Sequence, residues 1–276
     1  MRHSLAFALG LGLTAHFGCG SPSFNDFSDG PGDGGGGNDA GVADAAPATL
    51  FSFFVTSLQA MRDLSGSENG FGGNLGGLDG ADGICQEIAT GVGEGGKTWR
   101  AFLSVAEGPE GGPVHAIDRV GQGPWYDRNE RLLSEDAEGL LRERPDGDAQ
   151  VANDLPDENG APLEPLGDSH DIMTASDEQG HLSTGGGGWG GPGGGGGGEC
   201  TSYTCEDWTS DVGPGSEECV MLGHGWPAMS GTHWIASHHM RGCAPGVNLV
   251  QDGPGSGDCV GCGGGWGAIY CFAVTE

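Results

Sequence analysis

Residues 77–89, GLDGADGICQEIA, and residues 96–104, GKTWRAFLS, carry two different periodicities in close succession. In the first, Ala81, Cys85, Ile88, Ala89 and the following Val92 recur at helical spacing. This predicts a short amphipathic helix over about 80–90, with Cys85 on its buried face. Asp79 stands where a cap belongs, and Gly91 and Gly93 stand where the helix must stop. In the second, Trp99, Ala101, Leu103 and Val105 alternate, which predicts a half-buried strand over 97–105.

The pattern extends in both directions. TLFSFFVTSL, residues 49–58, is β-branched and aromatic and reads as a strand. Residues 61–79 are polar and glycine-rich and read as a long loop. Residues 114–120 suggest a helical turn, 123–126 a turn with aromatic anchors, and 131–141 a short strand or turn. Residues 144–171 form an acidic, proline-bearing surface excursion. Residues 185–198 are almost all glycine around Trp189 and Pro192, an inserted loop rather than a core element. WGAIYCFAVT, residues 266–275, reads as the closing strand with Cys271 at its centre.

Charge and chain length set outer limits. The 276 residues carry 39 Asp+Glu against 10 Lys+Arg, a net charge of -29. Such a field repels phosphate backbones and anionic membrane surfaces, so nucleic acid is excluded as a partner. No apolar run reaches the length of a transmembrane helix. Residues 1–19 instead read as an export signal: Arg2, an apolar run from Leu5 to Leu13, then Gly18-Cys19 in the manner of a lipoprotein cleavage box. Cys19 is the expected lipidation residue, and the membrane is met only through that N-terminal lipid. Residues 20–48, rich in Gly, Asp and Ala, read as a disordered tether. Residues 49–276 remain as one folded domain, exported and anchored in the cell envelope, with the outer membrane as its expected destination.

Nine cysteines occur, and setting Cys19 aside leaves an even eight, seven of them from Cys200 onward. After an export signal this argues for disulfides rather than free thiols, although spacing alone does not fix their pairing. The competing reading is zinc-thiolate, through Cys200-x4-Cys205 or Cys259-x2-Cys262 with His238 and His239 nearby.

The ordered set Gly80-Ala81-Asp82 with Cys85, Trp99 to Ser104, Cys205-Glu206-Asp207-Trp208 and Tyr270-Cys271-Phe272 resembles a bacterial family of lectin-like proteins related to the endostatin domain of collagen. The resemblance spans roughly 49–276. It implies an α+β, C-type-lectin-like (endostatin-like), disulfide-braced domain with long irregular loops. It further implies pairing of the first-helix cysteine with that of the last strand, Cys85–Cys271. Cys205 would pair with Cys243 or Cys262, the former preferred. The remaining cysteines would then pair locally, Cys200–Cys219 and Cys259–Cys262.

Departures from such lectins matter. Glu164-Pro165-Leu166 lacks a third ligand for calcium-dependent sugar binding, and Glu206-Asp207-Trp208 replaces the Trp-Asn-Asp of those sites. The arginine surface of endostatin has no counterpart at this charge. The sequence calls for no cofactor; calcium is the exception it leaves open, at Asp154, Asp157, Glu158, Asp168 and Asp171, which equally suit a solvated acidic surface. Contiguous Ser169-His170-Asp171 is no triad by adjacency. His224, His233, His238 and His239 surround the cysteine-rich end and could bind zinc, but His238 and His239 are adjacent and would point to opposite faces of a strand, so exposed or core-satisfied histidines are the expected reading. The glycine runs lack the ending of a phosphate loop. No enzyme is expected. The expected function is a binding module for a protein or glycan of the envelope or its surroundings, contacted through Trp125, Tyr126 and Trp189. The alternatives are a coat lipoprotein without a specific ligand and a metal-dependent secreted enzyme.

Overall fold

A computed structural model describes residues 49–185, 200–228, 231–250 and 257–274. The expected lipidation at Cys19, the tether, Trp189 and nearly all of the glycine loop lie outside them. The described chain is mixed α+β, with few helices, a central sheet and four disulfides. None of its helices is long and apolar enough to cross a membrane.

The sheet is organised by its last strand, β8 (Gly265–Ala273), all nine residues of which are buried. Its C-terminal half pairs antiparallel with both β1 (Phe53–Val55) and β2 (Trp99–Ala101), which share Cys271 as a neighbour. Its N-terminal half pairs parallel with β5 (Asp171–Met173). β5 then pairs with β6 (Cys219–His224), and β6 with the edge strand β7 (His238–Arg241). Between Asp171 and Ile172 the register on β8 jumps from Gly265 to Ala268. Gly267 takes up that irregularity at φ 71°, a conformation glycine adopts without steric cost. A small hairpin of β3 (Trp125–Tyr126) and β4 (Leu132–Ser134) stands apart from this sheet.

Two longer helices flank the sheet. α1 (Leu58–Ser65) occupies sequence read as the end of a strand and the start of a loop. The chain leaves β1 at Ser57, whose side chain accepts from the Ala60 amide. Glu158, distant in sequence, in turn accepts from the Ser57 amide and hydroxyl. α2 (Gly77–Gly91) begins earlier than its periodicity predicts, with Gly76 before it at φ 81°; Asp79 lies in its first turn and does not cap it. Its apolar face, Ala81, Ile84, Cys85, Ile88 and Ala89, is buried as expected. Its other face holds β2 by charge. Asp82 accepts from the Ala101 amide and takes both oxygens to Arg119 Nη2 at 2.8 Å. Residues 131–141 hold β4 and α3 (Ala137–Leu140), and the acidic excursion holds α4 (Ala149–Asn153).

The core is aromatic. Trp99, Trp125, Trp208, Trp234 and Trp266 are fully buried with Tyr270 and five phenylalanines. Each indole N–H donates to a backbone carbonyl, those of Glu94, Val120, Ser104, Leu140 and Thr56 respectively. Large apolar rings are thus sunk without stranding a donor.

The disulfides are Cys85–Cys271, Cys205–Cys243, Cys200–Cys219 and Cys259–Cys262. All eight thiols read as zinc ligands or disulfide partners are therefore in covalent pairs, and the zinc-thiolate reading falls. One segment departs from ordinary backbone: Cys205, Glu206, Asp207 and Trp208 all have φ between 52° and 67°. With Trp208 N donating to Thr204 O, they form one turn of left-handed helix. It is pinned by Cys205–Cys243, by the Trp208 indole on Ser104, and by Asp207 accepting from the Ala106 and Glu107 amides.

Candidate functional site

The register of β5, β6 and β7 assembles one polar cluster inside this frame. Asp171 opposes His224, and His238 opposes Leu222, two residues before His224. Two-residue periodicity therefore puts Asp171, His224 and His238 on the same face. His239 falls on the other, half-buried against the Tyr203 ring at 5.3 Å, as its adjacency to His238 predicts. His170 enters from the residue before β5.

Asp171 Oδ1 is the hub. It lies 2.8 Å from His238 Nε2, 3.2 Å from His170 Nε2 and 3.7 Å from His224 Nε2. Behind these, His224 Nδ1 meets the Gly231 carbonyl at 2.8 Å, a contact in which the ring must donate. His170 Nδ1 lies 2.7 Å from Asp168 Oδ1, close but out of line for a hydrogen bond. Three members are sealed: His170, Asp171 and His224 are at most 1% exposed, and only His238 is partly open, its side chain 13% exposed. Trp226 packs edge-on to His170 at 5.5 Å. Glycines close another side. A Cβ on Gly263 would lie 2.3 Å from Asp171 Oδ2, and one on Gly264 would lie 2.7 Å from His170 Cε1.

The surroundings polarise these groups differently. Burial alone would raise the Asp171 carboxyl, but His238, His170 and His224 outweigh it and hold it below the ordinary carboxylate range. Burial would lower His238, yet Asp171 beside it raises it. His224 is pushed down to about 3 by burial, with His170 and His238 adding to the effect. Burial, aided by Asp171, raises Asp168 against the pull of His170.

No protein-family model matches the chain. A search among curated proteins likewise returns no relative. The site therefore rests on its own geometry.

Placed on this geometry, the sequence-derived candidates separate. Asp168 and Asp171 join the histidines instead of Asp154, Asp157 and Glu158. Those three do not assemble with them into a ligand set among the described residues, and each is bound to backbone. Asp154 accepts from Leu163 and Glu164, Asp157 from Asn159 and Ala161, and Glu158 from Ser57. The five carboxylates that the sequence left open for calcium are thus not gathered in one place among the described residues. Trp125 is also corrected: it is fully buried, its ring edge-on to Phe272 at 5.6 Å, and presents nothing to a ligand. Tyr126 is half-buried in its hairpin. Ser169 donates to the Leu163 carbonyl and accepts from the Trp226 indole, so it is no nucleophile for His170. His233 accepts from the Ile235 and Ala236 amides, outside the cluster. Sequence reasoning met His170 only in the contiguous Ser169-His170-Asp171 and read His224 and His238 as exposed or core-satisfied residues. The available signal was slight: His224 and His238 lie in the cysteine-rich half, whereas His170 precedes it.

Proposed function

We propose that this chain is an exported, lipid-tethered binding module on a C-type-lectin-like, endostatin-related frame. The observation that carries the reading is the Cys85–Cys271 bond, which joins the first amphipathic helix of the resemblance to its closing strand. Cys205–Cys243, the cross-link that the same resemblance prefers, supports it. Four disulfides suit an oxidising compartment. The burial of His170, Asp171 and His224, each 1% exposed or less, favours binding over catalysis, because only His238 of the cluster reaches the surface.

With Trp125 in the core, recognition falls to the loops before β5 and after β7. Leu166 and Val250 are 47% and 74% exposed there, linked by the bond from the Asp168 amide to the Leu249 carbonyl. The test is the purified mature domain on glycan and envelope-protein arrays, beside the Leu166→Ser/Val250→Ser double variant. A hit lost in the variant is the expected result; silence of the wild type on both arrays overturns the reading. The net charge of -29 favours a second reading, a repulsive coat without a ligand. Silent arrays together with a deletion strain of altered envelope would select it.

A further inference from the structure

Among the described residues five buried side-chain N or O atoms have no hydrogen-bond partner: Asp168 Oδ2, His170 Nδ1, Asp171 Oδ2, His224 Nε2 and Ser237 Oγ. Four belong to the one cluster, and the fifth is on the residue before His238. Buried polar atoms are satisfied in the great majority of cases, and of these five His224 Nε2 is the one that faces the shared oxygen Asp171 Oδ1. The Nδ1 of the same ring faces the Gly231 carbonyl, which only accepts, so the ring proton sits there and Nε2 turns a lone pair toward Asp171 Oδ1. Lone pair against carboxylate in a sealed interior is repulsive unless a cation lies between them.

We propose that His170, Asp171, His224 and His238 form a closed tetrahedral site for one divalent metal ion, zinc by the chemistry of its donors, which fastens β5, β6 and β7 together. Three imidazole nitrogens and one carboxylate oxygen suit zinc, whose bonds of about 2.0–2.1 Å give a tetrahedral edge of about 3.3 Å. The separations of 2.8, 3.2 and 3.7 Å around Asp171 Oδ1 bracket that edge. One ligand atom from each of the four residues can be taken so that all lie within 4.8 Å of one another. The outer contacts have the usual form: Gly231 O fixes the His224 tautomer, and Asp168 stands behind His170. A full protein donor set in a buried position makes the ion structural, not catalytic. His238, with a side chain 13% exposed, marks the entry side. The second His/Cys set, Cys200, Cys219 and His239, is different, because its two sulfurs are already bonded to each other.

The test uses the exported protein, purified with its disulfides intact and without chelator, and measured for bound metal. One zinc per chain is expected. His224→Ala and His238→Ala should each abolish it while the mass still reports four disulfides, and His239→Ala should keep it. Asp168→Asn should retain the site but weaken zinc about 10–100-fold. Stripping with EDTA should lower the melting temperature, and zinc should restore it. If the alanine variants fail to fold, cobalt replacement in the wild type decides, with a strong visible spectrum of tetrahedral Co(II) expected and no thiolate charge-transfer band. A metal-free protein that takes up neither zinc nor cobalt overturns the proposal. So does equal loss of metal in His239→Ala. Either failure would leave the binding-module reading untouched, since the arrays test that separately.

Discussion

Glu206 is a non-glycine residue held in left-handed backbone. It sits at φ 53°, ψ 51° in the left-handed turn, with its side chain exposed. A side chain there costs about 1–2 kcal/mol relative to glycine. Glycine also loosens the unfolded chain by about 0.4–1 kcal/mol. Glu206→Gly should therefore leave stability unchanged or raise it by about 0.5 kcal/mol in urea unfolding; a loss near 1 kcal/mol, as in an ordinary helix, would contradict the geometry. Trp125 behaves in the opposite way. Trp125→Ala removes a fully buried indole and should cost about 3–5 kcal/mol by the same measurement. Glu94 contributes a pH dependence. Burial raises its pKa, but Thr49, Lys97 and Arg128 outweigh that and lower it. A depressed carboxylate stabilises above its unfolded pKa and loses that stability as pH falls through the lowered value. Glu94→Gln should accordingly flatten the acid side of the stability curve, below about pH 4.5; an unchanged acid limb would contradict this.

At the scale of elements, α2 and β2 were readable because local pattern and tertiary burial agree there. Ala81, Cys85, Ile88 and Ala89 face the core, and Trp99 and Ala101 are buried on either side of exposed Arg100. The link between the two elements was not readable. Arg119 arrives from a later turn, 7% exposed on its side chain, and is neutralised by Asp82. Asp82→Ala would leave a buried guanidinium without its counter-ion and should cost about 3 kcal/mol in chemical denaturation; a loss under 1 kcal/mol would show that the pair is in effect solvated. α1 was hidden for a related reason. Its entry is set by Glu158 reaching Ser57, a contact made across the chain. The histidine cluster was hidden most of all. His170, His224 and His238 are separated widely in sequence and meet only through the register of three strands. Residue types and spacing carry no information on that register, whereas the opposed faces of His238 and His239 followed from strand geometry alone.

For the whole molecule, the dominant tie is the one that closes the longest loop. Cys85 and Cys271 are 186 residues apart, and the chain-entropy model assigns their bond about 5 kcal/mol. That is on the order of the net stability of a domain. The paired Cys85→Ala/Cys271→Ala variant should therefore be at best marginally folded at room temperature by circular dichroism, while loss of Cys259–Cys262, only 3 residues apart, should cost far less. Covalent ties hold the helix to the closing strand, and the indole donors lock the aromatic core. The pole formed by β5, β6 and β7 has its own fastening in the His/Asp cluster, where buried charge is tolerable once a cation neutralises it. Diffraction data collected on either side of the zinc absorption edge test this directly. One anomalous peak is predicted, about 2.0–2.1 Å from the Nε2 atoms of His170, His224 and His238 and from Asp171 Oδ1. Well-ordered side chains around a point with no anomalous signal, or a peak bound elsewhere, would contradict the account.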